Sequence, residues 1–159
     1  MGRVFPRHVQ WGRPLNEIVR RHSVQRLENY EFEHMSKRDV HHLADELKVG
    51  SVDAVERAVR FVCAETEGLW HGRGRAMMCR RMKHLELPRS HRERLVAVIL
   101  GRLEAGQFSE QFRDQLRLAM HLDERKSYAV ANKALSSGRD HVRRYARWVL
   151  SHQEAANDA

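Results

Sequence analysis

Residues that start and stop helices recur along this chain, and residues that make hairpins do not. Ser36 with Asp39 three positions on reads as a capping box, after which Val40, Leu43, Ala44 and Leu47 share one face and Gly50 stops the helix. Ser51 caps the next, carrying Val52, Val55, Val59 and Val62 or Cys63 to an end near Gly68. Another helix spans about residues 72 to 85. Pro88 opens an apolar one (Leu95, Val96, Val98, Ile99, Leu100, Leu103) that stops at Gly106. Ser109 is expected to cap a helix bearing Phe112, Leu116, Ala119 and Met120; Asp123 starts one through Leu135. Asp140 starts the last, with Val142, Tyr145, Ala146, Val149 and Leu150. An earlier amphipathic stretch opens at Pro14 with Leu15, Ile18, Val19 and Leu27. Period-two alternation and Asn-Gly turns are missing. The expectation is an all-α chain of about eight short helices with short connections.

A chain of 159 residues with 42% hydrophobic side chains buries a core and reads as one domain. No apolar run approaches the roughly 20 residues that cross a bilayer, and the stretch before Glu17 lacks the apolar segment of a signal peptide. Cys63 and Cys79 fit no disulfide framework or zinc knuckle; they read as reduced, buried small hydrophobes of a cytoplasmic protein.

The net charge of +8 is unevenly placed. Residues 72–95 hold eight basic and two acidic side chains, and residues 1–30 hold six and two. Of the 29 basic residues, 24 are Arg, whose planar fork suits phosphate, although a genome's base composition gives the same bias. A domain this basic favours an anionic partner without specifying a sequence.

The last six helices pair as 51–85, 88–122 and 123–152, close to the period of stacked helical hairpins. Aligning the second helices brings Ala76, Arg113 and Arg143 into register, then Arg80, Arg117 and Arg147, then His84, His121 and Ser151. The segment Asp140-His-Val142-Arg143-Arg144-Tyr-Ala146 resembles the second helix of a HEAT-type repeat, where Asp caps the helix and Val, Arg and Ala follow at that spacing. Residues 110–120 depart from it with Phe112-Arg113 and Leu116, residues 72–82 keep only small or apolar positions, and the first helices lack the family's proline. For residues 51–152 the resemblance implies a curved stack whose second helices line the concave face. Residues 1–50 would then be a basic arm and helical cap, and residues 153–159 a frayed tail.

The run GLWHGRGRAMMCRRMKH, residues 68–84, concentrates Gly, Arg, Trp and His. A phosphate loop needs a preceding strand and a Gly-Lys-Ser/Thr ending, and neither is present. A helix N-terminus there could still hold an anion. The structural alternative is that Gly72 and Gly74 let two helices approach closely while Trp70 fills the core. Arg73, Arg80 and His84 can share a face, with Arg75 and Arg81 pointing elsewhere. Arg80, Arg113, Arg117, Arg143 and Arg147, flanked by Arg144, would form a stripe able to neutralise phosphates without reading bases. The competing reading is a solvated face laced by salt bridges to Glu110, Asp114 and Asp140. Phe112, Tyr145 and Trp148 fall on core-like positions, which favours packing over base stacking.

His41 and His42 with Asp45 and Glu46 have ligand-like spacing but complete no metal motif, and Cys63, Cys79, His71 and His84 match no zinc pattern. Glu65, Glu67 and His71 form the one cluster with a catalytic flavour. The favoured expectation is a non-catalytic, backbone-directed nucleic-acid-binding module or small subunit of a larger assembly, with no cofactor and no membrane. Its binding residues are Arg73, Arg80, Arg113, Arg117, Arg143, Arg144 and Arg147. The alternative is a scaffold for an acidic protein. Third comes an enzyme acting on nucleic acid, resting on Glu67, Asp114, Trp70 and Trp148.

Overall fold

The computed structural model describes Val24, Arg26, Leu27 and residues 29–157. The Pro14 stretch with Leu15, Ile18 and Val19, the basic arm before residue 24, and the last two residues of the tail lie outside the described residues. Everything described is helix or connection, so the chain is all-α. α1 holds Val24, Arg26, Leu27 and residues 29–33. It is followed by α2 (Lys37–Val49), α3 (Val52–Cys63), α4 (His71–Met82), α5 (Arg89–Ala105), α6 (Phe112–Leu122), α7 (Glu124–Ala134) and α8 (Asp140–Asn157).

Local chemistry sets most of these boundaries. At α2 both halves of the capping box form, Ser36 with the Asp39 N–H and Asp39 with the Ser36 N–H, and Gly50 takes the left-handed conformation (φ 71°) that ends the helix. Gly106 does the same for α5 at φ 69°. Asp123 caps α7 by accepting from the Lys126 N–H. Ser51 accepts from the Ala54 N–H at α3. Replacing Ser51 by Ala should therefore cost about 1 kcal/mol of stability, read as a shift of the urea midpoint at unchanged slope.

Two expected boundaries are corrected. Ser109 does not cap α6, because its hydroxyl accepts from the Gln115 side chain at 2.9 Å. The helix instead starts after Gln111, a non-glycine residue at φ 58°. α3 stops at Cys63 rather than near Gly68, where Ala64 turns extended (ψ 143°). The Val62 and Ala64 carbonyls at this end are taken by the side chains of Arg75 and Arg102. At the other end, α8 continues to Asn157.

The helices form two rows. α3 packs on α5 and α5 on α7; α2 packs on α4 and α4 on α6. The hairpins α3–α4, α5–α6 and α7–α8 join the rows, and α8 also touches α5. Between α6 and α8 the gap is filled by aromatics: Phe108 and Phe112 lie 4.5 and 5.5 Å from the Tyr145 ring. One continuous core runs from Phe32 to Val149, so α1 and α2 share it with the later hairpins. Its largest members, among them Phe32, Phe61, Phe112, Ile99 and Leu116, are fully buried, each stabilising by roughly 1.5–3 kcal/mol. Leu27, expected on the apolar face of the first stretch, is 70% exposed, and Val52, expected on the apolar face of α3, is 83% exposed at the first position of that helix. Cys63 and Cys79 are reduced and buried in the core, as expected, and burial pushes the Cys79 thiol up, away from thiolate chemistry.

Candidate nucleic-acid interface

The row formed by α2, α4 and α6, continued by α8, carries a ribbon of cations and indoles. On α2, the Lys37 ammonium lies 4.1 Å from the centre of the Trp70 ring, and the Arg73 guanidinium is 5.4 Å from the same ring. Arg73 Nε donates to Glu110 at 2.8 Å. About two helical turns along α4, Arg80 reaches α6, donating to Gln111 and Asp114. Asp114 also accepts from Arg117 at 2.8 Å. The ribbon ends on Trp148 of α8, where Arg113 and Arg117 lie 5.5 and 5.4 Å from the ring centre. Five cations thus meet two carboxylates, and the four arginines stay exposed at the surface. Cation–indole pairs of this kind contribute roughly 0.5–1 kcal/mol at exposed sites and hold each guanidinium in place.

The expected residues divide on this ribbon. Arg73, Arg80, Arg113 and Arg117 lie on it. Arg144 and Arg147 are exposed on α8. Arg144 precedes Trp148 by four residues and so shares its face, whereas Arg147 is turned about a quarter circle away. Among the described residues Arg113, Arg144 and Arg147 have no carboxylate partner. Arg143 is drawn back to the start of α8, where it donates to the Ser137 carbonyl and to Asp140. The anticipated salt bridges to Glu110, Asp114 and Asp140 therefore exist, alongside cations that none of them neutralises.

The glycines of the 68–84 run work as close-approach residues. A Cβ at Gly74 would fall on Val40 Cγ1 of α2, and one at Gly72 would sit 2.9 Å from the Glu110 backbone nitrogen. Trp70, expected to fill the core, does not: it is half-buried beneath Lys37 and Arg73, because its position ahead of α4 faces the row surface. Arg81 turns to Asp45 of α2 at 3.2 Å.

Arg75 points inward, and sequence gave no sign of what it does there. It is 5% exposed and donates through Nη2 to the Ala64 carbonyl, the Thr66 carbonyl and the Thr66 hydroxyl. Arg102 of α5 arrives at the same place, donating to the Val62 carbonyl at 2.8 Å, the Ala64 carbonyl at 3.2 Å and Gln115 at 2.9 Å. Two guanidiniums thus occupy the negative end of α3 and satisfy carbonyls that its last turn leaves open. Burial, followed by the neighbouring Arg102 charge, lowers the Arg75 pKa to about 10. The signal that could have found them is an Arg on a predicted apolar face with no acidic residue a turn away.

The sequence has no match among protein families, curated proteins or solved structures.

Among the described residues no three His, Cys, Asp or Glu side chains converge on one point. His42 pairs with Glu46 at 3.6 Å, while Asp45 turns to Lys48 and Arg81. The Glu65–Glu67–His71 cluster does not assemble as a catalytic set: both glutamates are exposed, and buried His71 bonds Thr66 at 2.7 Å and the Gly68 N–H at 3.3 Å. Burial, with the Arg75 charge nearby, holds the His71 imidazole below its ordinary value of 6.5. Its neutral form therefore stabilises the fold above pH 6.5, and that stability is lost as pH falls through the lower folded value, because the unfolded chain takes up the proton first. Urea midpoints at pH 7.5 and pH 5 should fall with acidification, and His71→Gln should flatten that fall. None of the described helices is long and apolar enough to cross a membrane.

Proposed function

We propose that this chain is a non-catalytic nucleic-acid-binding module, a part of a larger assembly, that grips the phosphate backbone with the ribbon across α2, α4, α6 and α8. The observation that carries this reading is the placement of Arg73, Arg80, Arg113 and Arg117 between Trp70 and Trp148 on one surface, with cations outnumbering carboxylates. Arg144 and Arg147 extend the basic surface along α8. Exposed arginines track phosphates and release counterions, and none of this requires reading a base. The alternation of α3, α5 and α7 with α4, α6 and α8 supports reading residues 51–152 as a short HEAT-like stack. Two reduced, buried cysteines support a cytoplasmic setting.

Fluorescence anisotropy of labelled single- and double-stranded oligonucleotides at several salt concentrations tests this. The expected result is binding that weakens steeply with salt and varies little between unrelated sequences. No binding at low salt overturns it.

One observation favours a second reading. Arg73, Arg80 and Arg117 already hold carboxylates, Glu110 and Asp114, and the same geometry would accept the carboxylates of an acidic protein. Poly-glutamate competing as well as an oligonucleotide of equal charge would favour that partner.

A further inference from the structure

The buried pair Arg75 and Arg102 does more than close the end of α3. A cavity of about 590 Å³ opens in front of it, between the α3–α4 connection and the α5–α6 connection. Both arginines line this cavity, and no carboxylate of the described residues forms an ion pair with either one. Their acceptors are carbonyls, one hydroxyl and one amide oxygen, all neutral groups. Arg75 Nε, buried with its side chain 5% exposed, has no acceptor at all. A buried guanidinium donor left open costs free energy unless something takes it.

The mouth of the same cavity has the opposite sign. Glu65 and Glu67 line it and are exposed. Its walls include Leu69, 93% exposed, and half-buried Phe108, which offer apolar cover to a short methylene chain. An arginine that only capped α3 would need neither a cavity before it nor an acidic rim around it. A simple anion fits the floor but is opposed by the rim, and a simple cation fits the rim but is opposed by the floor.

We infer that this cavity binds a small zwitterion, a free amino acid with a basic side chain, its carboxylate on Arg75 and Arg102 and its cationic end at Glu65 and Glu67. The site is separate from the ribbon, and the inference does not rest on nucleic-acid binding. The carboxylate supplies the negative charge that the Arg75–Arg102 pair lacks among its neutral acceptors. The stem lies along Leu69 and Phe108.

The test uses the full chain labelled with ¹⁵N, following the Arg75 Nε–H resonance, assigned by its loss in Arg75→Lys. L-Lysine is titrated in, with L-glutamate and inorganic phosphate as comparators. The expected result is a saturable shift with L-lysine and at least a tenfold weakening in the double variant Glu65→Gln, Glu67→Gln. Both side chains are exposed, so the variant keeps the fold. L-Glutamate and phosphate should shift the resonance in that double variant more than in the wild type, because the repelling rim is gone. The inference is overturned if L-lysine gives no saturable shift, if phosphate binds the wild type more tightly than L-lysine, or if the double variant binds L-lysine unchanged. Oligonucleotide anisotropy on the same double variant separates the two sites: ribbon binding should be retained whichever way the amino-acid titration falls.

Discussion

Arg75→Met should lower the thermal midpoint by about 6–12 °C, while Arg73→Met, two residues earlier, should leave it nearly unchanged. The contrast comes from burial and partners. Arg75 is 5% exposed and is the donor to the Ala64 and Thr66 carbonyls and the Thr66 hydroxyl. Methionine keeps the apolar stem but leaves those acceptors short of a donor in the interior. Losing charge-assisted hydrogen bonds of this kind costs about 1.5–3 kcal/mol, and the unmet acceptors bring the expected total to about 3 kcal/mol. For a chain of this length, each kcal/mol moves the midpoint by about 2–4 °C. Arg75→Lys should recover only part of the loss, because an ammonium cannot present the fork that reaches both carbonyls. Scanning calorimetry of the three variants checks the order. A midpoint for Arg75→Met equal to that of the wild type would mean that Arg102 alone holds the end of α3.

Arg113→Ala, Arg117→Ala and Arg147→Ala combined should weaken oligonucleotide binding on the order of 100-fold at physiological salt and lower the salt slope by about 2.7 for duplex DNA. Each phosphate contact contributes about 0.9 to that slope, and three contacts are removed. The loss should be the same for unrelated sequences, since none of these side chains is committed to a base edge. Asp114→Asn should act in the opposite direction. Its carboxylate holds both Arg80 and Arg117, so removing its charge frees two guanidiniums for phosphate and raises affinity. Anisotropy titrations of both variants, at matched salt, decide the matter. An unchanged triple variant removes the ribbon, and an Asp114→Asn variant that binds more weakly would show that the carboxylate orders the arginines more than it competes for them.

The periodic face of α2 and the apolar run of α5 were legible because each is written in neighbouring residues. Val40, Leu43, Ala44 and Leu47 are all buried where the spacing put them, and Gly50 and Gly106 end their helices at positive φ. The close-approach role of Gly74 was legible as well, since small residues at a helix start have few other uses. Ser109 failed as a cap because a side chain six residues on, Gln115, offered its hydroxyl a better partner. Trp70 failed as a core residue because Lys37, on another helix, gave its ring a reason to stay at the surface.

The arginines show the same division. Arg73, Arg75, Arg80 and Arg81 stand within nine residues of one helix, and nothing local ranks them. Packing sends Arg75 under the end of α3, Arg81 to Asp45, and Arg73 and Arg80 across to Glu110 and Asp114. What the sequence determined by itself was the helical class, the caps at Ser36, Ser51 and Asp123, and the buried stripes of α2 and α5, because these are written in residues within about four positions of one another. Which guanidinium faces solvent, which is buried against carbonyls, and which cavity lies before it were decided only by the tertiary structure. Those outcomes depend on groups 9 to 40 residues apart, as in Arg75 with Thr66 and Arg102 with Val62, and the folded packing alone brings such groups together.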